Sequence, residues 1–249
     1  MSVTTLVLSN PPYGVFDGRC AAPVLGLTAA DVGLKAHYPV PEIWLAPEDR
    51  PAAEDAAGRL ERCGLPVVVA PAHALADVPA RTHVSGFAFE DVAMRLAVPG
   101  QSTVVPYELS VVAVFCRPRE GGPTAPTFLD LYASQEGRTA RYGFVQDRLD
   151  FTGIPAGPQA SAAANMMKLA AECEQRFALG IVDRRLVNMV ARQRHVGTGG
   201  QPAHALQRKG FSFATVALDE LLDGIRPGLR EMDQFELCSR LAYLTRCGV

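Results

Sequence analysis

The sequence lacks most of the features that assign a function class at sight. Its longest apolar runs, such as those at 67–70 and 111–115, suit buried strands and fall far short of the ~20 residues a membrane-spanning helix needs. Neither sign of charge dominates: 24 Lys and Arg stand against 26 Asp and Glu, a net charge of -2. That balance excludes a whole-surface grip on nucleic acid or anionic membrane and leaves only a regional one. Cysteine is sparse, and Cys20, Cys63, Cys116, Cys173, Cys238 and Cys247 include no C-x-x-C pair. Neither a disulfide framework nor a zinc site is therefore expected; several of the six fall in apolar helix or strand patterns, as reduced thiols do. Covalent chemistry lacks its local signatures, with no G-x-S-x-G elbow and no cysteine beside a histidine. His37, His73 and His83 show no His-x-x-x-His spacing, so no metal is expected.

What is present is the composition of a globular protein. Hydrophobic residues make up 48% of the 249 and charged residues 20%, enough to bury a substantial core in one large domain or two modest ones. The reading favours an α+β chain of two domains, 1–117 and 127–249, joined by a linker at 118–126 that is rich in charge, glycine and proline and has no apolar period. The first residues carry no basic stretch, and Asn10-Pro11-Pro12 interrupts the early apolar run, so a cytoplasmic location is expected.

In the N-terminal part, 3–9 reads as a strand ended by the Asn-Pro-Pro turn. Residues 42–46 read as a second strand. Pro51 starts a helix whose apolar face is Ala53, Ala56, Ala57 and Leu60; Gly64 stops it, and 65–70 is a third strand. From Ser85 to Cys116 the alternation predicts antiparallel strands with a turn at Pro99-Gly100. Beyond the linker, 128–132 and 140–145 flank a turn at 134–137 and predict a hairpin. Helices then dominate. Ala162, Met166, Leu169, Cys173 and Phe177 follow helical spacing, with Lys168, Glu172 and Arg176 on the other face. A second helix is expected from Asp183 toward Arg194, and a third from Thr215 to Leu222 with Thr215 as its cap. A fourth starts at the Asp233-x-x-Glu236 capping box, with Leu237, Leu241 and Leu244 as its buried stripe.

Two segments carry chemistry. Asn10-Pro11-Pro12-Tyr13 resembles the tetrapeptide with which amino-methyltransferases hold a planar amino group. The resemblance implies that Asn10 and the Pro11 carbonyl accept from the amine while Tyr13 stacks on the base. Because the motif comes first, only a permuted order, with the glycine loop for S-adenosylmethionine downstream, would suit it. Leu149-Asp150-Phe151-Thr152-Gly153-Ile154-Pro155 resembles the approach to such a loop, with Pro155 in place of the second glycine. Asp183 then falls where the resemblance places the carboxylate that holds the donor ribose. The plainer reading of the tetrapeptide is a turn after a first strand.

The other segment is basic. Arg184, Arg185, Arg192, Arg194, Arg208 and Lys209 lie in a stretch with no acidic residue between Arg184 and Lys209. The glycine-rich 196–201 within it could present backbone donors to phosphate, though it lacks the G-K-[ST] ending of a P-loop. Lys209, Gly210, Phe211 and Phe213 resemble part of an RNA-recognition signature, in which aromatics stack on bases. Asp130, Asp147 and Asp150 flank the hairpin and could converge like a metal-dependent nuclease cluster, but strand-end aspartates are common turn formers, and Asp147 to Asp150 reads more naturally as solvated ends.

No catalytic constellation is complete. The leading reading is a non-enzymatic interaction or regulatory protein with no cofactor, acting on a protein partner or on a polyanion such as nucleic acid through the basic segment. The alternative is a permuted S-adenosylmethionine-dependent N-methyltransferase built on Asn10, Pro11, Pro12, Tyr13, Gly153 and Asp183. The two differ structurally: the methyltransferase needs both loops at the C-terminal edge of one parallel sheet.

Overall fold

The computed structural model describes residues 5–10, 16–37, 40–116, 126–177, 181–183, 195–197 and 215–247. In chain order the first elements are β1 (Thr5–Ser9), α1 (Gly18–Leu25), α2 (Ala29–His37), β2 (Glu42–Leu45), α3 (Arg50–Arg62), β3 (Val68–Pro71) and α4 (Ala72–Asp77). Then come β4 (Thr82–Val84), β5 (Gly86–Phe89), β6 (Ala93–Val98), β7 (Gln101–Pro106), β8 (Ser110–Cys116), β9 (Phe128–Gln135), β10 (Arg138–Val145), α5 (Ala162–Arg176) and β11 (Ile181–Asp183). The chain closes with β12 (His195–Gly197), β13 (Thr215–Ala217), α6 (Leu218–Ile225) and α7 (Gln234–Cys247). The architecture is α+β, as the sequence indicated.

The chain divides into two compact units, but not at the expected linker. One unit is Met1–Val78 with Ala191–Val249, and the other is Pro79–Val190. The flanks of 118–126 belong together because β8 and β9 pair antiparallel from Ser110↔Ser134 to Cys116↔Phe128. A charged, glycine- and proline-rich composition marks a loop equally well inside a sheet and between domains, which is why 118–126 read as a boundary.

In the first unit the strand order is β13-β12-β2-β1-β3. Both neighbours of β1 run antiparallel to it, and β12 joins β2 in parallel. Val7, Trp44 and Leu45 share a core with Ala21, Ala22, Val24 and Leu25 of α1 and with Ala53, Ala56, Ala57 and Leu60 of α3. Leu6, Leu8 and Ile43 are buried too, and α7 packs on β1, β2 and β3, so both faces of the sheet are covered. Caps fix the helix starts. Asp17 accepts from the N–H groups of Arg19 and Cys20 at 2.9 and 3.3 Å, Asp49 from Ala52 at 2.8 Å, and Asp233 from Glu236 at 2.7 Å. Arg240 of α7 donates to the carbonyls of Leu75 and Val78 at 3.0 and 3.1 Å, tying down the end of α4.

In the second unit the five-stranded sheet runs β11-β8-β9-β10-β4 and the three-stranded sheet β5-β6-β7. Helix α5 starts at Ser161, whose hydroxyl accepts from the Ala164 N–H at 3.1 Å. Met166, Leu169, Cys173 and Phe177 join a core with Ala113, Leu131, Phe144, Met94 and Val105, as their spacing predicted; Ala162, at the first helical position, is exposed. Inside the larger sheet Asp130 is fully buried and accepts from Arg81 Nε and Nη2 at 2.9 and 3.0 Å and from Arg141 Nε at 3.1 Å. Arg141, itself 1% exposed, also lies over the Tyr132 ring. Gly143 makes this possible, since a Cβ there would sit 2.2 Å from Arg81 Cδ.

Three expectations change. The third helix begins at Leu218, because Thr215 to Ala217 pair with β12 as a strand. Asp183 ends β11, parallel to β8, and the helix expected after it falls at 184–194, outside the described residues. Cys20 and Cys63 form a disulfide. Their pairing follows from the packing of α1 on α3, which brings the two positions together across 43 residues of sequence.

Candidate partner-binding groove

The edge of the smaller sheet in the second unit builds the site from backbone geometry. Val98 and Gln101 close a two-residue turn at Pro99-Gly100, with Gly100 at φ 78°. From that pair onward, residues of an antiparallel hairpin alternate between bonding across the pair and pointing away from it. The phase is fixed at the far end, where the Tyr107 N–H donates to the Val92 carbonyl at 3.1 Å. Gln101, Thr103 and Val105 thus bond to β6, while the N–H and C=O of Ser102 and Val104 point outward and the Pro106 C=O accepts from the Leu109 N–H at 3.3 Å. Proline suits position 106, where no ladder donor is needed. The only strand paired with β7 among the described residues is β6.

A groove of about 370 Å³ opens along this edge. Val104 and Val105 line it from β7, Leu109 follows, and the opposite wall is the β9–β10 hairpin. Ala133, Ala140 and Tyr142 make that wall apolar, and Gln135, Glu136, Arg138 and Thr139 give it polar groups toward the turn. The hairpin register runs unbroken from Arg138↔Gln135 to Val145↔Phe128. Glu136 and Gly137 supply the positive-φ turn, at 50° and 76°, that closes it. Val104 is 45% exposed, unusual for a valine in a strand.

The end of β7 is held firmly. The Tyr107 hydroxyl donates to the Glu90 carbonyl at 3.0 Å, and its ring meets Phe177 edge-on at 5.2 Å. Arg176 lies over the Phe89 and Tyr107 rings at 5.1 and 5.9 Å and donates to Glu172 at 3.0 Å. Burial raises the Tyr107 hydroxyl pKa, opposed by the Arg176 guanidinium. Burial likewise pushes the Cys173 thiol up to about 12, so it stays protonated and inert.

Of the residues singled out from sequence as site candidates, none with a described position lines this groove. Arg184, Arg185, Arg192, Arg194, Arg208 and Lys209 lie outside the described residues, as do Pro11, Pro12 and Tyr13. Asn10 follows β1, whose neighbours both run antiparallel, in the first unit; Gly153 and Asp183 belong to the second. Among the described residues, no one parallel sheet carries both loops. Gly153 has a packing reason instead: a Cβ there would meet the Phe87 carbonyl oxygen at 1.7 Å. Asp130 is an ion-pair member and not a solvated turn former, whereas Asp147 and Asp150 are exposed and Asp150 accepts from the Thr152 N–H at 2.9 Å. Among the described residues no group of three or more His, Cys, Asp and Glu side chains is placed to hold a metal, and no helix is long and apolar enough to cross a membrane.

Sequence reading missed the groove because it arises from strand pairing between distant segments. The available signal was the uncharged sequence Gln101-Ser102-Thr103-Val104-Val105-Pro106, since edge strands usually carry charges that discourage pairing. No family model, curated protein or solved structure matches the chain.

Proposed function

We propose that this protein acts by binding, and that its partner is an extended segment of another protein laid along β7 as an added strand. The observation that carries the reading is the pair of residues Ser102 and Val104, whose N–H and C=O groups point outward beside the groove. Alternating donors and acceptors at strand spacing are matched by another extended backbone, which gives affinity through main-chain bonds and specificity through side chains in the groove. The apolar Ala133, Ala140 and Tyr142 suit small or β-branched side chains; Glu136 and Arg138 at the turn offer one charge of each sign. A volume of about 370 Å³ beside the hairpin wall admits a single extended segment more readily than the β7 of a second copy with its own wall. The absence of charge on β7 leaves strand pairing unopposed.

The test is selection from a random peptide library displayed on phage, using the full chain and a Val104→Pro variant. Proline at 104 removes an outward N–H and leaves the bonds to β6 intact. The expected result is enrichment of alternating, β-branched sequences on the wild type, at least tenfold weaker binding to the variant, and an unchanged far-UV circular dichroism spectrum. Equal binding by both proteins, or no enrichment, would overturn the proposal. So would a concentration-dependent dimer abolished by Val104→Pro, which would make the occupant a second copy. Steeply salt-dependent binding of single-stranded RNA, lost on charge reversal of Arg185 and Arg192, would shift the function to the basic segment.

A further inference from the structure

We infer that Cys20 and Cys63 are a reversible redox couple that exchanges with low-molecular-weight thiols and governs how tightly the start of α1 is held to the end of α3. The inference is independent of the β7 groove, which lies in the other unit. It rests on the unequal placement of the two sulfur-bearing residues. Cys20 is exposed in the first turn of α1, while Cys63 is 7% exposed at the C-terminal cap of α3. The bridge is reinforced by a backbone bond, from the Asp17 N–H to the Cys63 carbonyl at 2.9 Å.

Accessibility sets the order of events. A small thiolate attacks Sγ of Cys20, forming a mixed disulfide there as the Cys20–Cys63 bond breaks, and Cys63 leaves as a thiolate that takes up a proton. A second small thiolate attacks the outer sulfur of the mixed disulfide, releasing Cys20 as a thiolate and a small-molecule disulfide. In sum, two small thiols are oxidised to their disulfide and the protein disulfide is reduced to two thiols; the reverse sequence closes it.

Opening the bridge does not remove the packing that joins the helices. Ala21, Ala22, Val24 and Leu25 remain buried against Ala53, Ala56, Ala57 and Leu60, so the couple can cycle within the folded unit. What is lost is the tether at the entry to α1, where Asp17 caps the helix and bonds to Cys63. The other cysteines with described side chains, Cys173 and Cys238, are buried thiols out of reach of small thiols.

The experiment equilibrates the full chain in mixtures of reduced and oxidised glutathione, quenches with acid, alkylates, and reads the Cys20 and Cys63 peptides by mass spectrometry. Circular dichroism and amide hydrogen exchange are read on the same samples. The disulfide is expected to open as reduced glutathione rises, with the dichroism unchanged and exchange faster by tenfold or more at Asp17 to Cys20. In Cys63→Ser, glutathione is expected on Cys20; in Cys20→Ser, whose change is at an exposed position, none is expected on Cys63. A bridge that opens only in denaturant would be a permanent crosslink and would overturn the inference. Glutathione on Cys63 in Cys20→Ser, or unchanged exchange at the start of α1, would overturn it equally.

Discussion

The two units solve the same problem, holding segments distant in sequence together, with different chemistry. The first ties its elements with the Cys20–Cys63 bond and with Arg240 reaching two carbonyls at the end of α4, over a sheet buried on both faces. Some of its ion pairs, such as Arg50–Glu54 at 70% and 55% side-chain exposure, sit largely in water and contribute little, whereas Lys35–Glu42 and Arg240–Glu236 are mostly buried. The second unit buries Arg81, Asp130 and Arg141 inside a sheet and, among the described residues, leaves another sheet edge unpaired. The lesson is one of asymmetry. A tether at the surface can be opened with the core left in place, whereas a buried charge network tolerates no missing member, because the remaining charges lose their compensation.

The sharpest way to break that comparison is to delete the centre of the network. Asp130→Ala leaves two guanidinium groups without their shared carboxylate and is expected to cost about 3–5 kcal/mol, read as the loss of the second unit's transition in urea unfolding. A cost under about 1 kcal/mol would mean that water reaches the site and that the two units do not differ in kind.

A smaller effect tests whether the second unit's loops are packed or functional. Gly153→Ala forces a methyl group into the Phe87 carbonyl and is expected to destabilise by about 1–3 kcal/mol through displaced backbone. A neutral result would reopen a role for that glycine other than close packing.

The third effect is a slope with pH. Cys173 titrates near 9 in the unfolded chain and about 12 in the fold, so the unfolded state releases its proton first and stability falls as pH rises from 9 toward 12. The full loss approaches about 4 kcal/mol at the upper end and about 2 kcal/mol midway. Denaturant titrations of wild type and Cys173→Ala from pH 8 to about 10.5 should converge as pH rises. Parallel curves would show that Cys173 is not the buried thiol responsible.

Much of the local structure was legible because its causes are local. The face Met166, Leu169, Cys173 and Phe177, the Asp233 capping box, the Pro51 helix start and the Glu136-Gly137 hairpin each depend on neighbours within a few residues. Where a local preference met a distant partner, the partner won. Thr215 looked like a cap and became a strand residue against β12, and 118–126 looked like a boundary although its flanks pair. Helices α1 and α2 went unread because Pro23 and Gly33 interrupt their patterns, and only burial of Ala21, Ala22, Val24 and Leu25 against α3 makes the first visible.

The sequence by itself determined an α+β chain, most of its helix faces and turns, and the absence of a complete catalytic motif, since spacing along the chain encodes all of these. Only the tertiary structure decided which cysteines pair, that Asp130 is buried between two arginines, that Asn10 and Gly153 belong to different units, and that β7 pairs with β6 alone among the described residues, beside a groove. Each depends on which strands and helices become neighbours, a choice made by the burial of whole faces and invisible to any local window.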